Sequence, residues 1–293
     1  MAGRQTRMAR VSVGILTCNR REAVLRAIRS ACEQGTDDLE IVVVDSASTD
    51  GTAEAVRRCF PQVKYIRLPR NLGCPAGRNY IYANCTGDYI VNVDDDGFLG
   101  AGALEGVVRV FESDPTIGIV AMRQVFTDDP QAVCASPEGR REVGSFWGGV
   151  CAFRRAMLER IGYYPEDFFL FAEEAYLAIR AMDAGYRIVY DPGIVMWHPR
   201  IGASASKRWD YYRFRNALLV VTRLFPGWLM LKYLVLRMGS YLLISLRRGT
   251  PHHYLRAVAH VLWTLPSTLL TRSACGAAAV HRYFALRDTV SKG

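Results

Sequence analysis

A doubly wound α/β sheet is the fold class this sequence predicts, on three observations. Short β-rich runs alternate with helical patterns over residues 11–94. One run, LEIVVVD at 39–45, is continuously apolar, as a strand covered on both faces must be. Polar residues also close three separate runs, at Thr17, Asp45 and Asp94–Asp96. Ligands of such sheets gather beyond the strands' carboxyl ends, so these residues are expected to share one rim.

Taken in order, VSVGILT (11–17) reads as the first strand, and REAVLRAIRSACEQ then sets Val24, Ala27, Ile28 and Ala31 on one helical face. LEIVVVD is followed by STDGTAEAVRRCF, whose Ser, Thr and Asp cap helices well. VKYIRLP supplies a third strand, PAGRNYIYANC a helix opened by proline, and DYIVNVD a fourth strand. Further on, IGIVAMRQVF and SFWGGVCAFRRAMLERIG are strand-like, with Gly148 and Gly149 permitting close backbone approach and Trp147 beside them. EDFFLFAEEAYLAIRAMDAGYRIVYDPGIVMWHP reads as an acidic turn, a helix ended by Gly185, and a strand pair closing on His198.

The 293 residues are 50% hydrophobic and 22% charged, which excludes a disordered chain and suffices for one large domain with an appendage. The net charge of +9 is concentrated late: from Pro192 onward the only acids are Asp210 and Asp288. There, basic residues are interleaved with long aliphatics and aromatics in YYRFRNALLVVTRLFPGWLMLKYLVLRMGSYLLISLRRG and HYLRAVAHVLWTLPSTLL. No apolar run reaches the ~18 uninterrupted residues of a spanning helix. The pattern instead suits amphipathic helices on an anionic membrane surface, and lacks the polar basic patch of a nucleic-acid binder. Residues 1–203 are accordingly expected to form a catalytic domain and 204–293 a helical membrane-associating region. Eight scattered cysteines form no C-x-x-C pair and read as reduced thiols. The basic N-terminus lacks a cleavage signal, so the expected location is cytoplasmic, peripheral on the inner face of the cell membrane.

Adjacent carboxylates at Asp94, Asp95 and Asp96 repel one another unless a positive charge joins them. Hard oxygen ligands at a turn suit Mg²⁺ or Mn²⁺ shared with substrate phosphates. No phosphate-cradling G-x-x-x-x-G-K-[ST] or G-x-G-x-x-G occurs, which argues against a nucleotidyl or phosphoryl transferase.

VSVGILTCNR, IVVVDSASTDGT, NLGCPAGRN and DYIVNVDDD, in that order, followed by FFLFAEEAYLAIRAMDAGYRIVYDP and WH, resemble the family 2 glycosyltransferases of GT-A fold. The resemblance covers about residues 10–200. It implies transfer of a sugar from a nucleotide-diphosphate sugar to an acceptor hydroxyl, with inversion. Thr17 and Asp45 would contact nucleobase and ribose, and Arg78 with Asn79 would lie beside the base or diphosphate. Asp94 and Asp96 match the ends of the D-x-D motif, ribose and metal respectively, with Asp94 and Asp95 also counted among the nucleotide-sugar contacts and able to share the ion, and His198 at a position that touches metal or diphosphate in some relatives. Glu174 falls where the family has its general base, with Glu173 as the alternative, because Ala172-Glu173-Glu174 stands where G-E-D is common. The Q-x-x-R-W motif of processive relatives is absent, which implies one or few additions. The sequence leaves open the donor, an acceptor that includes lipid-linked glycans, the oligomeric state, and retention as a catalytically inactive binding relative.

Overall fold

The computed structural model describes residues 10–36, 38–127, 136, 138–199 and 206–286. The chain runs β1 (Val11–Thr17), α1 (Arg21–Cys32), β2 (Leu39–Asp45), α2 (Thr52–Cys59), β3 (Lys64–Arg67), α3 (Cys74–Asn84) and β4 (Tyr89–Asp94). It continues through β5 (Phe98–Leu99), α4 (Ala103–Ser113), β6 (Ile117–Phe126), β7 (Arg141–Glu142), β8 (Val150–Arg154), α5 (Arg155–Ile161), α6 (Glu173–Asp183) and β9 (Arg187–His198). A 3-10 turn at Lys207–Trp209 leads into α7 (Asp210–Leu224), α8 (Gly227–Arg248), α9 (Pro251–Thr271) and α10 (Ala277–Leu286).

The nine strands form one sheet ordered β3-β2-β1-β4-β8-β6-β9-β5, with β7 paired to β9. β1 to β4 are parallel, β8 runs against both β4 and β6, and β6 and β9 are parallel to each other. The alternation of side chains along each strand feeds two cores. Val11, Val13, Ile15, Ile41 and Val43 face α1 and α4, whereas Val42, Val44 and Ile90 face the layer holding α5, α6 and α7. The mostly parallel, doubly wound α/β sheet is therefore present. Its register puts Thr17 level with Asp45 and Leu16 level with Asp94, so three polar strand ends meet on one rim.

Three expectations are corrected. The strand pair expected before His198 is a single strand, β9, that stays on β6 throughout. It accommodates its Asp-Pro-Gly by a bulge between the Met122–Asp191 and Arg123–Val195 pairings. Pro192 is tolerated there because a bulge frees it from donating to the ladder.

The long segment from Tyr211 is also not one surface helix: it breaks at Pro226 into α7 and α8, which behave oppositely. α7 is an internal element, with Phe214, Leu218 and Leu219 wholly buried and its last turn packed in the same core as α6. α8 buries only Leu229 and Ser245 and exposes Trp228, Leu231, Val235, Leu242 and Leu243. It is long and apolar enough to cross a membrane by length and composition. The expected boundary at 203/204 lies outside the described residues, and packing does not separate α7 and α10 from what precedes them. The third correction concerns charge: the aspartate triplet is matched within the protein, by two arginines, as described next.

Candidate active site

The three aspartates following β4 point to different partners. Asp94 Oδ1 accepts from Arg78 Nη2 at 2.8 Å, and Asp96 Oδ2 from Arg20 Nη1 at 2.5 Å. Asp95 accepts from Thr17 Oγ1 at 2.9 Å and from Arg20 Nη1 at 3.2 Å. Arg20 and Arg78 thus relieve much of the repulsion that the sequence assigned to a dication. Arg20 was missed because it follows TCN in a turn, and only the parallel β1–β4 pairing brings it to the triplet. Burial and the flanking carboxylates push Asp95 up to about 6, against the opposing pull of Arg20 and Thr17. Burial also raises Asp94, but His198 and Arg78 outweigh it and hold that carboxyl below its ordinary value.

What the arginines leave over is the informative part. Asp94 Oδ2 and Asp96 Oδ1 are turned toward His198 Nε2, at 3.5 and 3.9 Å. Ligand atoms of these three residues lie within 4.8 Å of one another. His198 Nε2 is buried without a hydrogen-bond partner. Its Nδ1 meets the Gln124 side-chain amide at 3.3 Å. The atom facing Nδ1 is the Gln124 amide nitrogen, a donor, which leaves the ring proton on Nε2; a cation at Nε2 would require that amide to turn so that Nδ1 takes the proton. An orphaned imidazole nitrogen beside two half-engaged carboxylates fits a divalent cation, and two oxygens with one nitrogen suit Mn²⁺ at least as well as Mg²⁺.

The Gly148–Gly149 pair packs directly against this cluster. A Cβ at Gly149 would sit 2.0 Å from the Asp94 carboxyl carbon, and one at Gly148 would sit 2.3 Å from Arg78 Nη1 and 2.9 Å from Glu174 Oε1. Glycine is required here by proximity. Gly149→Ala is expected to displace Asp94 and lower turnover by about 100-fold, the usual consequence of moving a reacting group by an ångström. Steady-state kinetics alongside circular dichroism, to verify the fold, checks this.

Glu173 and Glu174 open α6, where the helix dipole favours carboxylates. They differ in direction. Glu174 Oε1 accepts from the Gly148 amide at 3.3 Å, on the Arg78 side of the rim. Glu173 is 2% exposed and its Oε2 has no partner. Burial, then the charge of Glu174, pushes Glu173 up to about 8, and burial raises Glu174 as well. The backbone entering the helix is strained: Phe171 and Ala172 have φ of 72° and 68°, left-handed values that L side chains resist. α7 holds that turn in place. Asn216 Nδ2 donates to the carbonyls of Leu170 and Phe171 at 2.8 and 3.0 Å, and Arg223 grips Asp167 with both guanidinium ends.

The remaining expected residues divide. Thr17 and Asp45 stand on the rim, but Asp45 is wholly buried, accepting from Ser48 N at 2.9 Å, from Ser48 Oγ, and from the Tyr65 hydroxyl. Its carboxylate shapes the loop after β2. Asn79 is not turned to the rim: its amide both donates to and accepts from the Tyr164 backbone, at 2.9 and 3.1 Å, tying α3 to the segment after α5. One helix turn cannot aim neighbours Arg78 and Asn79 the same way, which the motif alone conceals.

Residues 12–134 match the family profile described as Glycosyl transferase family 2. An N-acetylglucosaminyltransferase of Rhizobium sp. (strain N33) is 28% identical over 223 residues, 64% of this chain and 48% of that protein. A chondroitin synthase of Escherichia coli is 31% identical over 117 residues, 39% of this chain and 17% of its own. The chain thus spans about half or less of the length of these relatives. Among solved structures, the Pyrobaculum calidifontis mannosyltransferase PcManGT, in complex with GDP-Man and Mn²⁺, superimposes with a TM-score of 0.61 at 25% identity, covering 98% of this chain and 84% of that one. Residues 1–349 of S. aureus TarS, solved with UDP-GlcNAc, share the fold with a TM-score of 0.65 at 17% identity, covering 89% and 82%. Profile, relatives and fold agree with the order of the rim residues: residues 12–134 carry a glycosyltransferase family 2 match, on a sheet shared with GT-A glycosyltransferases.

Proposed function

We propose that this protein moves a sugar from a nucleotide-diphosphate sugar to an acceptor hydroxyl with inversion at the anomeric carbon. The observation that carries this reading is the pairing of a three-ligand cluster on the rim (Asp94, Asp96, His198) with a raised carboxyl, Glu174, that accepts from the Gly148 amide. A divalent cation held by Asp94, Asp96 and His198 would supply Lewis-acid stabilisation of charge on the departing diphosphate. Arg78 and Arg20, already on the rim, add fixed positive charge for the same diphosphate. Thr17, with the loop that Asp45 organises, borders the space for nucleobase and ribose, and Asp95 lies beside them.

Glu174 accepts the acceptor's hydroxyl proton as the new glycosidic bond forms and the bond from the anomeric carbon to the diphosphate oxygen breaks. Glu173, deeper and unpartnered, keeps the pair short of two charges at neutral pH, since two adjacent buried carboxylates do not ionise together cheaply. The relatives' donors, GDP-Man and UDP-GlcNAc, mark the donor class to test. A thermal-shift series of nucleoside diphosphates and their sugars is expected to raise Tm for one nucleotide, and only with Mn²⁺ or Mg²⁺ present. Uniform shifts, or none with metal, would remove the reading.

α8 supports a peripheral position on an anionic membrane surface, with a lipid-linked glycan as the acceptor class. Its exposed apolar face carries the exposed Lys232 and Arg247 beside it, as an interfacial helix does, whereas Arg248 is held by Asp210. Truncation at residue 204 would remove the buried α7, so the test is a triple change, Leu231→Gln, Val235→Gln and Leu242→Gln. Flotation with anionic liposomes is expected to be lost while Tm holds; flotation that persists, or a dimer that dissociates instead, assigns α8 to protein packing.

A further inference from the structure

α6, α7 and α9 enclose a second cavity of about 430 Å³ that shares no residue with the rim. Its lining is cationic and hydroxylated. Arg180 comes from α6, Arg223 from α7 and Arg272 from the residue after α9; Thr264, Ser267 and Thr271 come from α9. No carboxylate lines it. Arg223 is neutralised by Asp167, at 2.8 and 2.7 Å. Arg272 donates to the Thr222 and Phe225 carbonyls, each at 2.9 Å, which fixes its position and leaves its charge uncompensated. Arg180 meets only the Tyr176 hydroxyl, at 3.4 Å, and that ring's face. Two positive charges therefore stand in one concave site, among the described residues, with no counter-ion.

The α9 hydroxyls recur at spacings of three and four and so form one stripe along the helix. Immediately beside it, one position earlier in each turn, lie Trp263 and Leu270, which are 86% and 87% exposed. Leu255, Leu262 and Leu269 extend this unpartnered apolar face. A helix with an apolar stripe next to hydroxyls and arginines matches the two levels of a membrane interface, acyl chains below and phosphates above. Guanidinium donors converging on one cavity are complementary to a phosphate, which has three or more acceptor oxygens and full charge; the hydroxyls of Thr264, Ser267 and Thr271 now donate to carbonyls of their own helix and would have to rotate to join them.

We propose that this cavity is a binding site for the phosphate of an anionic phospholipid headgroup, engaged by Arg180, Arg272 and the α9 hydroxyls while Trp263 and Leu270 enter the acyl region. The proposal rests on the membrane-surface reading above, but is independent of the sugar chemistry. It also places the lipid contact on α6, the helix that begins with Glu173 and Glu174 and carries Arg180 in its last turn.

The test uses the full chain with three probes: phosphatidylcholine vesicles containing phosphatidic acid, the same vesicles containing oleate as a phosphate-free anionic lipid, and inorganic phosphate. Arg180→Gln is expected to weaken binding to phosphatidic acid vesicles about tenfold, the loss of one charge-assisted contact, and binding to oleate vesicles less than twofold. Ser267→Phe, at an exposed helix position, should fill the cavity and reproduce the effect with Tm unchanged. Equal losses on both vesicle types would reduce the site to general surface charge and overturn the proposal. So would phosphatidic acid binding that neither variant weakens. A thermal stabilisation by inorganic phosphate that vanishes in Arg180→Gln would assign the cavity to a soluble phosphate and overturn the lipid source. Failure of wild type to bind any vesicle would instead remove the membrane-surface reading itself.

Discussion

Asp96→Asn is expected to lower sugar transfer by about 10³-fold, at the upper end of losses seen when one transition-state electrostatic contact is removed. It should also abolish the Mn²⁺-dependent rise in Tm with bound nucleotide. The reasoning lies in how the carboxylates are shared. Asp96 gives one oxygen to Arg20 and keeps the other for the cluster with Asp94 and His198. The amide can still face Arg20 with its carbonyl, so the loop keeps its shape, while the charge on the cluster falls by one. Asp94→Asn should be at least as damaging, because it also leaves Arg78, 6% exposed, without its anion. The measurement is initial rate against Mn²⁺ concentration for each variant. An Asp96→Asn enzyme with wild-type rate and metal response would show that the cluster holds no functional ion.

The second large effect is expected at the opening of α6. Glu174→Gln should reduce transfer by about 10²- to 10⁴-fold, the range attributed to a positioned proton acceptor, with donor binding little changed. Glu173→Gln should keep most of the rate and alter its pH dependence. In the wild type the base must be ionised, and burial raises Glu174, so the rising limb of the rate should lie above the ordinary glutamate range. In Glu173→Gln the second ionisation of the pair is gone, so any change of rate near pH 8, where Glu173 loses its proton in the wild type, should disappear. Stability runs the opposite way. A carboxyl raised from 4.5 to about 8 in the fold contributes stability that is complete below about 4.5 and is lost as pH rises through about 8. Tm should therefore decline from pH 5 to 9 in the wild type, and less steeply in Glu173→Gln. If Glu174→Gln transferred sugar at the wild-type rate, the proton would have to go to another group.

Much of the first half of the fold was legible along the chain because its interactions are local or strictly periodic. A run such as LEIVVVD can only be satisfied between two covered faces, and each strand-helix alternation forces a parallel crossover. Thr17, Asp45 and Asp94 were placed on a common rim by that argument alone, and the register bears it out. The second half was less legible. α7 and α8 have similar compositions, aliphatics with arginines, and nothing in their periodicity says that Phe214 is wholly buried and Leu231 is 63% exposed. Burial there depends on which neighbour arrives, and α7 is claimed by α6 and the strained turn at Phe171–Ala172, whereas α8 lays only one partly buried face, through Tyr233, Leu234 and Tyr241, against that core.

What the sequence determined by itself was chemical inventory and order: three carboxylates after a buried strand, two glutamates opening a helix, a histidine closing a strand. Those follow from residue type and spacing, which are properties of the chain before it folds. Tertiary structure decided the assignments. It turned Asn79 away to Tyr164, gave the aspartates Arg20 and Arg78 as partners, and left one oxygen each of Asp94 and Asp96 facing an unpartnered His198 nitrogen. The physical reason is distance: electrostatic partners are selected over a few ångströms in space, and residues 20, 94 and 198 become neighbours only when β1, β4 and β9 are assembled into one sheet through both parallel and antiparallel pairings.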